Sequence, residues 1–375
     1  MKKLTDKTTY TCLEYQRGLS LIELMISITI GLLLLVSLST LFINQSKTRT
    51  ELDKSNRMID NGRYAMDLLS SNLRLAGFYD SYVPRGAPMI LNAVAVALPD
   101  PRPDPCDLTI VTDPAKNLDI LRLHVQGINA TTATTPSFSV WPLCAAAVTA
   151  SGSVLNPGSD ILVIRRASTA TVSSAVTGDD TTYLQVSSCP TDTVNYLIAT
   201  TLPSAFTLLK KDCATAATKA SLRAFLVQVY FVSKDNIPGD GIPTLKRIEQ
   251  DPSGATSNFV VTPLVEGVEF MQFDYGVDDT PGPPAPSGDG VADRYIDCST
   301  CNLTDWSNVV SVKINLLARN QQTTMDWNDK KTYNLGIDGT VGPKGDTYKR
   351  HAYTQLVRLD NPAGRRETPC TAPCR

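Results

Sequence analysis

At 375 residues the chain exceeds the usual size of one domain, so one large domain with insertions or two modest ones are both allowed. Its 22 Gly and 24 Pro, with abundant Thr, Ser and Ala, predict loops and strands and little helix after residue 80. The formal charge is −2; setting aside residues 1–18, with Lys2, Lys3, Lys7 and Arg17 against Asp6 and Glu14, leaves 31 basic and 35 acidic side chains, a charge of −4 that argues against a nucleic-acid surface.

From Leu19 to Ile43 run 25 residues with a single charge, Glu23. At about 1.5 Å per residue they are long enough to cross a hydrocarbon layer of about 30 Å. Lys2, Lys3, Lys7 and Arg17 precede the run and predict a cytoplasmic N-terminus with the bulk of the chain outside. A secretory signal would have a shorter apolar stretch ending in small residues, which Ser37-Leu38-Ser39-Thr40-Leu41-Phe42 is not. A carboxylate costs about 2.5 to 3.5 kcal/mol at a bilayer centre and less near a helix end, so Glu23 calls for a partner. A cut between Gly18 and Leu19 creates one: the new ammonium of a neighbouring chain. Glu23 also lies in the first helical turns, where the dipole favours a carboxylate.

The residues Arg17-Gly18-Leu19-Ser20-Leu21-Ile22-Glu23-Leu24-Met25 resemble the prepilin peptidase recognition segment of type IV pilins and type II secretion pseudopilins. The resemblance implies that Gly18 ends a leader of residues 1–18, that Leu19 becomes the N-methylated first residue, and that Glu23 guides subunit addition. Leu19 stands where most members have Phe or Met, and Thr40 where major pilins often carry a helix-kinking Pro.

The helical pattern continues through residues 44–77. Leu52, Ile59, Met66 and Leu73 recur every seven residues, beside a row of Ser55, Gly62, Leu69 and Ala76, and Gly77 is a C-terminal stop signal. The small residues of the second row suit packing on the chain's own sheet; a dimeric coiled coil is the alternative. Strands are predicted at 119–125, 161–165, 222–232, 245–249, 265–275, 309–318 and 354–359, with Thr, Ser and Ala-rich loops or weak edges at 129–136 and 168–182. The expected fold is α+β: a long N-terminal helix on an antiparallel sheet within an exported head of residues 78–375, in which 85–215 form a disulfide-tied insertion and 216–375 the main sheet region.

Mature-chain cysteines number eight: Cys106, Cys144, Cys189, Cys213, Cys298, Cys301, Cys370 and Cys374. An even count suits disulfides outside the cytoplasm. Local pairs Cys298 with Cys301 and Cys370 with Cys374 are expected, and sequential pairing of 106 with 144 and 189 with 213 is one of many possible connectivities. With His124 and His351 as the only histidines, and no second C-x-x-C, a zinc site is not indicated. Asp278, Asp279, Asp289 and Asp293 flank a Gly and Pro-rich loop that could hold calcium, although their spacing is not that of an EF-hand and residues 280–287 separate them. No pairing of nucleophile and base is evident, so no enzymatic activity and no other cofactor are expected.

The segment from Pro263 to Gly276, followed by Trp306, by Val309-Val310-Ser311-Val312-Lys313-Ile314 and by Tyr348-Lys349-Arg350, resembles the PilW family of minor pilins and, more loosely, the J-type pseudopilins of type II secretion. The implied role is priming of type IV pilus assembly with incorporation at or near the tip. Implied partners are other minor pilins, the major pilin, the prepilin peptidase, the inner-membrane assembly platform and a tip adhesin. The implied location is the inner membrane of a Gram-negative cell with a periplasmic head, then the pilus surface. A type II secretion minor pseudopilin and a tip module for adhesion or DNA uptake are the alternatives.

Overall fold

The computed structural model describes residues 18–84, 103–107, 117–131, 134–172, 181–200, 206–214, 219–251, 259–279 and 288–367. The chain divides into two compact units, residues 1–53 and 54–375. The first consists, where described, of a short lead-in and the start of helix α1 (Leu21–Arg74). Its apolar side chains are exposed, from Leu19 to Ile43, and α1 is long and apolar enough to cross a membrane.

In the second unit, α1 buries Met58, Gly62, Ala65, Met66, Leu69, Ser70 and Leu73. The predicted stripe is therefore real from Ile59 onward, whereas Leu52 is 57% exposed. The helix packs on the chain's own sheets, and Gly62 is where the approach is closest: a Cβ there would lie 2.6 Å from Tyr353 Cζ, and the Tyr353 hydroxyl donates to Ile59 O at 3.2 Å. Gly77, three residues beyond the helix, donates to Arg165 O at 2.9 Å.

Thirteen strands follow among the described residues: β1 (Val125–Ile128), β2 (Ile161–Ala167), β3 (Thr182–Val186), β4 (Tyr196–Thr200), β5 (Leu222–Ser233), β6 (Thr244–Gln250), β7 (Phe259–Glu266), β8 (Val268–Val277), β9 (Arg294–Ile296), β10 (Val309–Arg319), β11 (Tyr333–Asn334), β12 (Thr340–Val341) and β13 (Arg350–Arg358). β1 to β7 form one antiparallel sheet in which β5 is bonded to β2, β3 and β6, and β7 is bonded to β6. A second sheet runs β13-β10-β8-β9, and β11 with β12 form a small ribbon. One core lies between α1 and both large sheets, with Phe273, Tyr275, Val312 and Ile314 at its centre. The opposite face of the first sheet is covered by Phe138, Trp141 and helix α3 (Pro142–Ala150). β11 and β12 cover Phe270 and Leu317 on the outer face of the second.

Two predicted strands require correction. Residues 119–125 are not a strand: helix α2 (Asn117–Arg122) occupies most of that run and β1 starts only at Val125. Ile120, Leu121 and Leu123 are buried either way, and an apolar run this short has no periodicity that separates helix from strand. The run 265–275 is broken at Gly267. There φ is +81°, and a Cβ would meet Arg319 O at 2.8 Å, so glycine alone fits. At this corner the chain leaves β7, an edge strand that accommodates Pro263, and enters β8 in the middle of the second sheet. β8 pairs with β10, with Ile314 opposite Phe273 and Val312 opposite Tyr275. β3 and β4 had no counterpart among the predicted strands.

Candidate functional site: the capped N-terminal helix and its head

Gly18, Leu19 and Ser20 are exposed and non-helical, and α1 begins at Leu21. Ser20 Oγ accepts the Glu23 N–H at 3.2 Å, and Ser20 O accepts the Leu24 N–H at 3.0 Å. Ser20 is thus the N-cap and Glu23 the third helical residue, the spacing of a capping box. The S-x-x-E signal is present in the sequence and explains locally why a helix starts here, a role that the resemblance to processing segments did not supply. Glu23 is exposed on the first turn, amid Leu19, Leu21, Ile22 and Leu24, each at least half exposed. Ser27, Thr29 and Thr40 donate back to the carbonyls of Glu23, Ile26 and Ser37 at 2.7 to 2.8 Å. Their hydroxyls are satisfied inside the helix, which makes them compatible with an apolar surrounding.

The head is tied by three disulfides among the described residues: Cys106–Cys144, Cys189–Cys213 and Cys298–Cys301. Cys370 and Cys374 lie outside the described residues, as do residues 1–17 and 280–287. Cys298 precedes helix α4 (Leu303–Ser307), whose N-cap Asn302 forms a full capping box with Asp305. This short helix inserts Trp306 into the core, edge-on to Tyr275 at 4.8 Å.

The four aspartates of the Gly-rich loop are drawn to different partners. Asp278 is buried, accepts the Gly290 N–H at 2.8 Å and stands 3.5 Å from the Arg366 guanidinium. Its Oδ1 has no hydrogen-bond partner. Asp279 is ion-paired with Arg294, Asp293 accepts the Asp279 N–H at 2.8 Å, and the exposed Asp289 accepts the Val291 N–H at 2.9 Å. A cation at Asp278 would share that carboxylate with Arg366.

His124, between α2 and β1, is buried with Nε2 2.7 Å from Val309 O and Nδ1 3.0 Å from Arg122 O. A neutral imidazole has one N–H and can donate to only one of them. Burial, aided by the Arg365 and Arg366 charges, nevertheless pushes its pKa down to about 3. The folded state therefore binds fewer protons than the unfolded state at mildly acidic pH, and the stabilisation is complete above about pH 6.5 and declines as pH falls toward 3. Between pH 7 and pH 5 the loss is about 2 kcal/mol. Urea unfolding of wild type and His124→Gln at pH 7 and pH 5 checks this: the variant loses distinctly less over the interval, and equal losses would remove His124 as the cause.

Residues 229–361, from the second half of β5 through the start of helix α5 (Asp360–Gly364), match the family described as Type IV Pilus-assembly protein W. Residues 15–39 match the prokaryotic N-terminal methylation motif, which spans the cap, Glu23 and most of the apolar run. Searches of the curated proteins and of the solved structures find no match to this chain.

Proposed function

We propose that this PilW-family minor pilin, a structural, membrane-anchored component of a type IV pilus, is processed between Gly18 and Leu19, N-methylated on Leu19, and used at low copy to prime filament assembly at or near the tip. The observation that carries the reading is the capped, exposed apolar helix with one carboxylate, Glu23, joined to a large disulfide-tied head. Cutting after Gly18 places an ammonium next to the first turn of α1. In a bundle of such helices, Glu23 of one subunit neutralises the N-terminus of its neighbour where water is excluded, which compensates a charge that is otherwise costly in hydrocarbon. The partners on this reading are the prepilin peptidase, the major pilin, other minor pilins and the inner-membrane platform. The head faces the periplasm before assembly and the filament surface afterwards. Its two-sheet bulk suits a position occupied once rather than repeated along a thin fibre.

Intact mass and N-terminal sequencing of the membrane-extracted chain test the processing step. Wild type starts at N-methylated Leu19, whereas Gly18→Val, and wild type made without prepilin peptidase, retain residues 1–18. A wild-type chain that keeps its leader overturns the proposal. Deletion then tests the role: surface pili are lost while protein secretion continues.

A further inference from the structure

The segment after β10 folds back along the segment before β13. Asn320 N–H donates to Lys349 O at 2.9 Å, Thr324 N–H to Thr347 O at 2.8 Å, and Asp329 N–H to Asp346 O at 2.9 Å. This hairpin-like crossing gathers Lys331 and Lys349 at 5.9 and 5.7 Å from the Trp327 ring centre. Gly345 N–H donates to Asp329 O at 2.9 Å, which sets the backbone of exposed Lys344 next to that of Lys330, and the Lys344 ammonium lies 4.5 Å from the Phe270 ring centre. Lys330 is exposed beside them. Trp327 is half-buried and fixed by its indole N–H, which donates to Tyr348 O at 3.2 Å; Met325, two residues earlier, is 80% exposed. The nearby carboxylates are spoken for: Asp329 and Asp346 both bind Arg350, leaving Asp326 as the exposed acid of residues 320–331. In a chain of net charge −2 this is a local excess of cations built around an aromatic ring and an exposed thioether.

The place of this patch in the head decides its partner. Lys54, the first residue of the second unit, donates to Thr323 O at 2.9 Å. The patch therefore lies at the end where the chain enters the head, eleven residues after the apolar run stops at Ile43. Lysines with a half-exposed indole are the side chains that meet a negatively charged lipid surface, the ammonium groups at the phosphates and the ring at the headgroup level. We infer that Lys330, Lys331, Lys344 and Trp327 form a docking surface for anionic phospholipid headgroups, on which the head rests before the subunit enters a filament. The inference needs membrane anchoring alone and is independent of any priming role.

Trp141 and Trp306 are 0% and 1% exposed, so of the three tryptophans only Trp327 is open to a surface quencher. The full chain is reconstituted into vesicles of phosphatidylcholine, with or without phosphatidylglycerol, each containing lipid with a TEMPO headgroup, and insertion is verified by flotation. With phosphatidylglycerol, up to about a third of the emission is quenched, one ring of three being at headgroup level. Quenching falls severalfold in the Lys330→Gln/Lys331→Gln/Lys344→Gln variant and at about 1 M salt, where the Debye length is about 3 Å. It is absent in Trp327→Phe. Equal quenching in both lipids, or none in vesicles that float with inserted protein, overturns the inference while leaving anchoring intact. Salt-sensitive crosslinking of these lysines to another subunit, without quenching, would also overturn it and assign the patch to a protein interface.

Discussion

Arg350→Met is expected to destabilise the head by about 3 to 5 kcal/mol, the range for removing one partner from a buried ion pair. The Arg350 side chain is 1% exposed and binds three carboxylates: Glu269 at 2.6 and 3.0 Å, Asp329 at 2.8 Å and Asp346 at 2.6 and 2.7 Å. Burial opposes the guanidinium charge, but Asp346, Glu269 and Asp329 outweigh it and raise the pKa. Asp329 has no exposed side-chain surface, and without Arg350 it retains the Tyr333 hydroxyl at 3.1 Å and the Lys331 N–H at 3.3 Å as hydrogen-bond donors. Methionine fills similar space and so isolates the charge from a cavity effect. Chemical unfolding in detergent, followed by tryptophan emission, measures the loss; a change below about 1 kcal/mol would show the network to be dispensable. Arg350→Lys recovers only part, because an ammonium cannot reproduce the planar fork shared among three carboxylates.

The second large effect is on assembly. Glu23→Gln keeps the helix start intact, since glutamine serves equally at the third position of a capping box, so what is lost is the charge. The variant is expected to be cut, methylated and membrane-inserted like wild type, yet its incorporation into sheared pili falls more than tenfold, the consequence of losing a pairing worth more than about 1.4 kcal/mol. Immunoblotting of membrane and filament fractions reads both arms. Normal incorporation would show that Glu23 has no part in subunit addition, and a failure of insertion would place its role in the helix rather than in the filament.

The N-terminal helix was legible because a 25-residue apolar run and a seven-residue repeat are long signals that no competing structure produces. Where the repeat failed, at Leu52, the reason is that the head begins only at Lys54, and periodicity says which face is apolar without saying what covers it. Ile120 and Leu121 show the limit for short segments, whose burial is predictable and whose backbone is not. The corner at Gly267 was present in the sequence as a glycine inside a strand pattern, a recognised sign of a bend, but which sheet each half joins depends on partners far away. The same holds for Arg350, whose partner Glu269 is 81 residues distant. Asp278 and Asp279 are neighbours in sequence, yet Asp278 faces Arg366 and Asp279 pairs with Arg294, and nothing in their spacing announces an arginine that arrives from beyond α5.

The contact of Gly62 with Tyr353 has a mechanical consequence. Tyr353 sits within β13, which is bonded to β10 over Arg350–Arg358, with four pairs from Arg350 to Tyr353 and five from Thr354 to Arg358. Tension drawn along α1 at this point enters the middle of a strand rather than its end. The ladder on both sides then carries the load at once, as rivets do in a lap joint, instead of opening bond by bond from one tip.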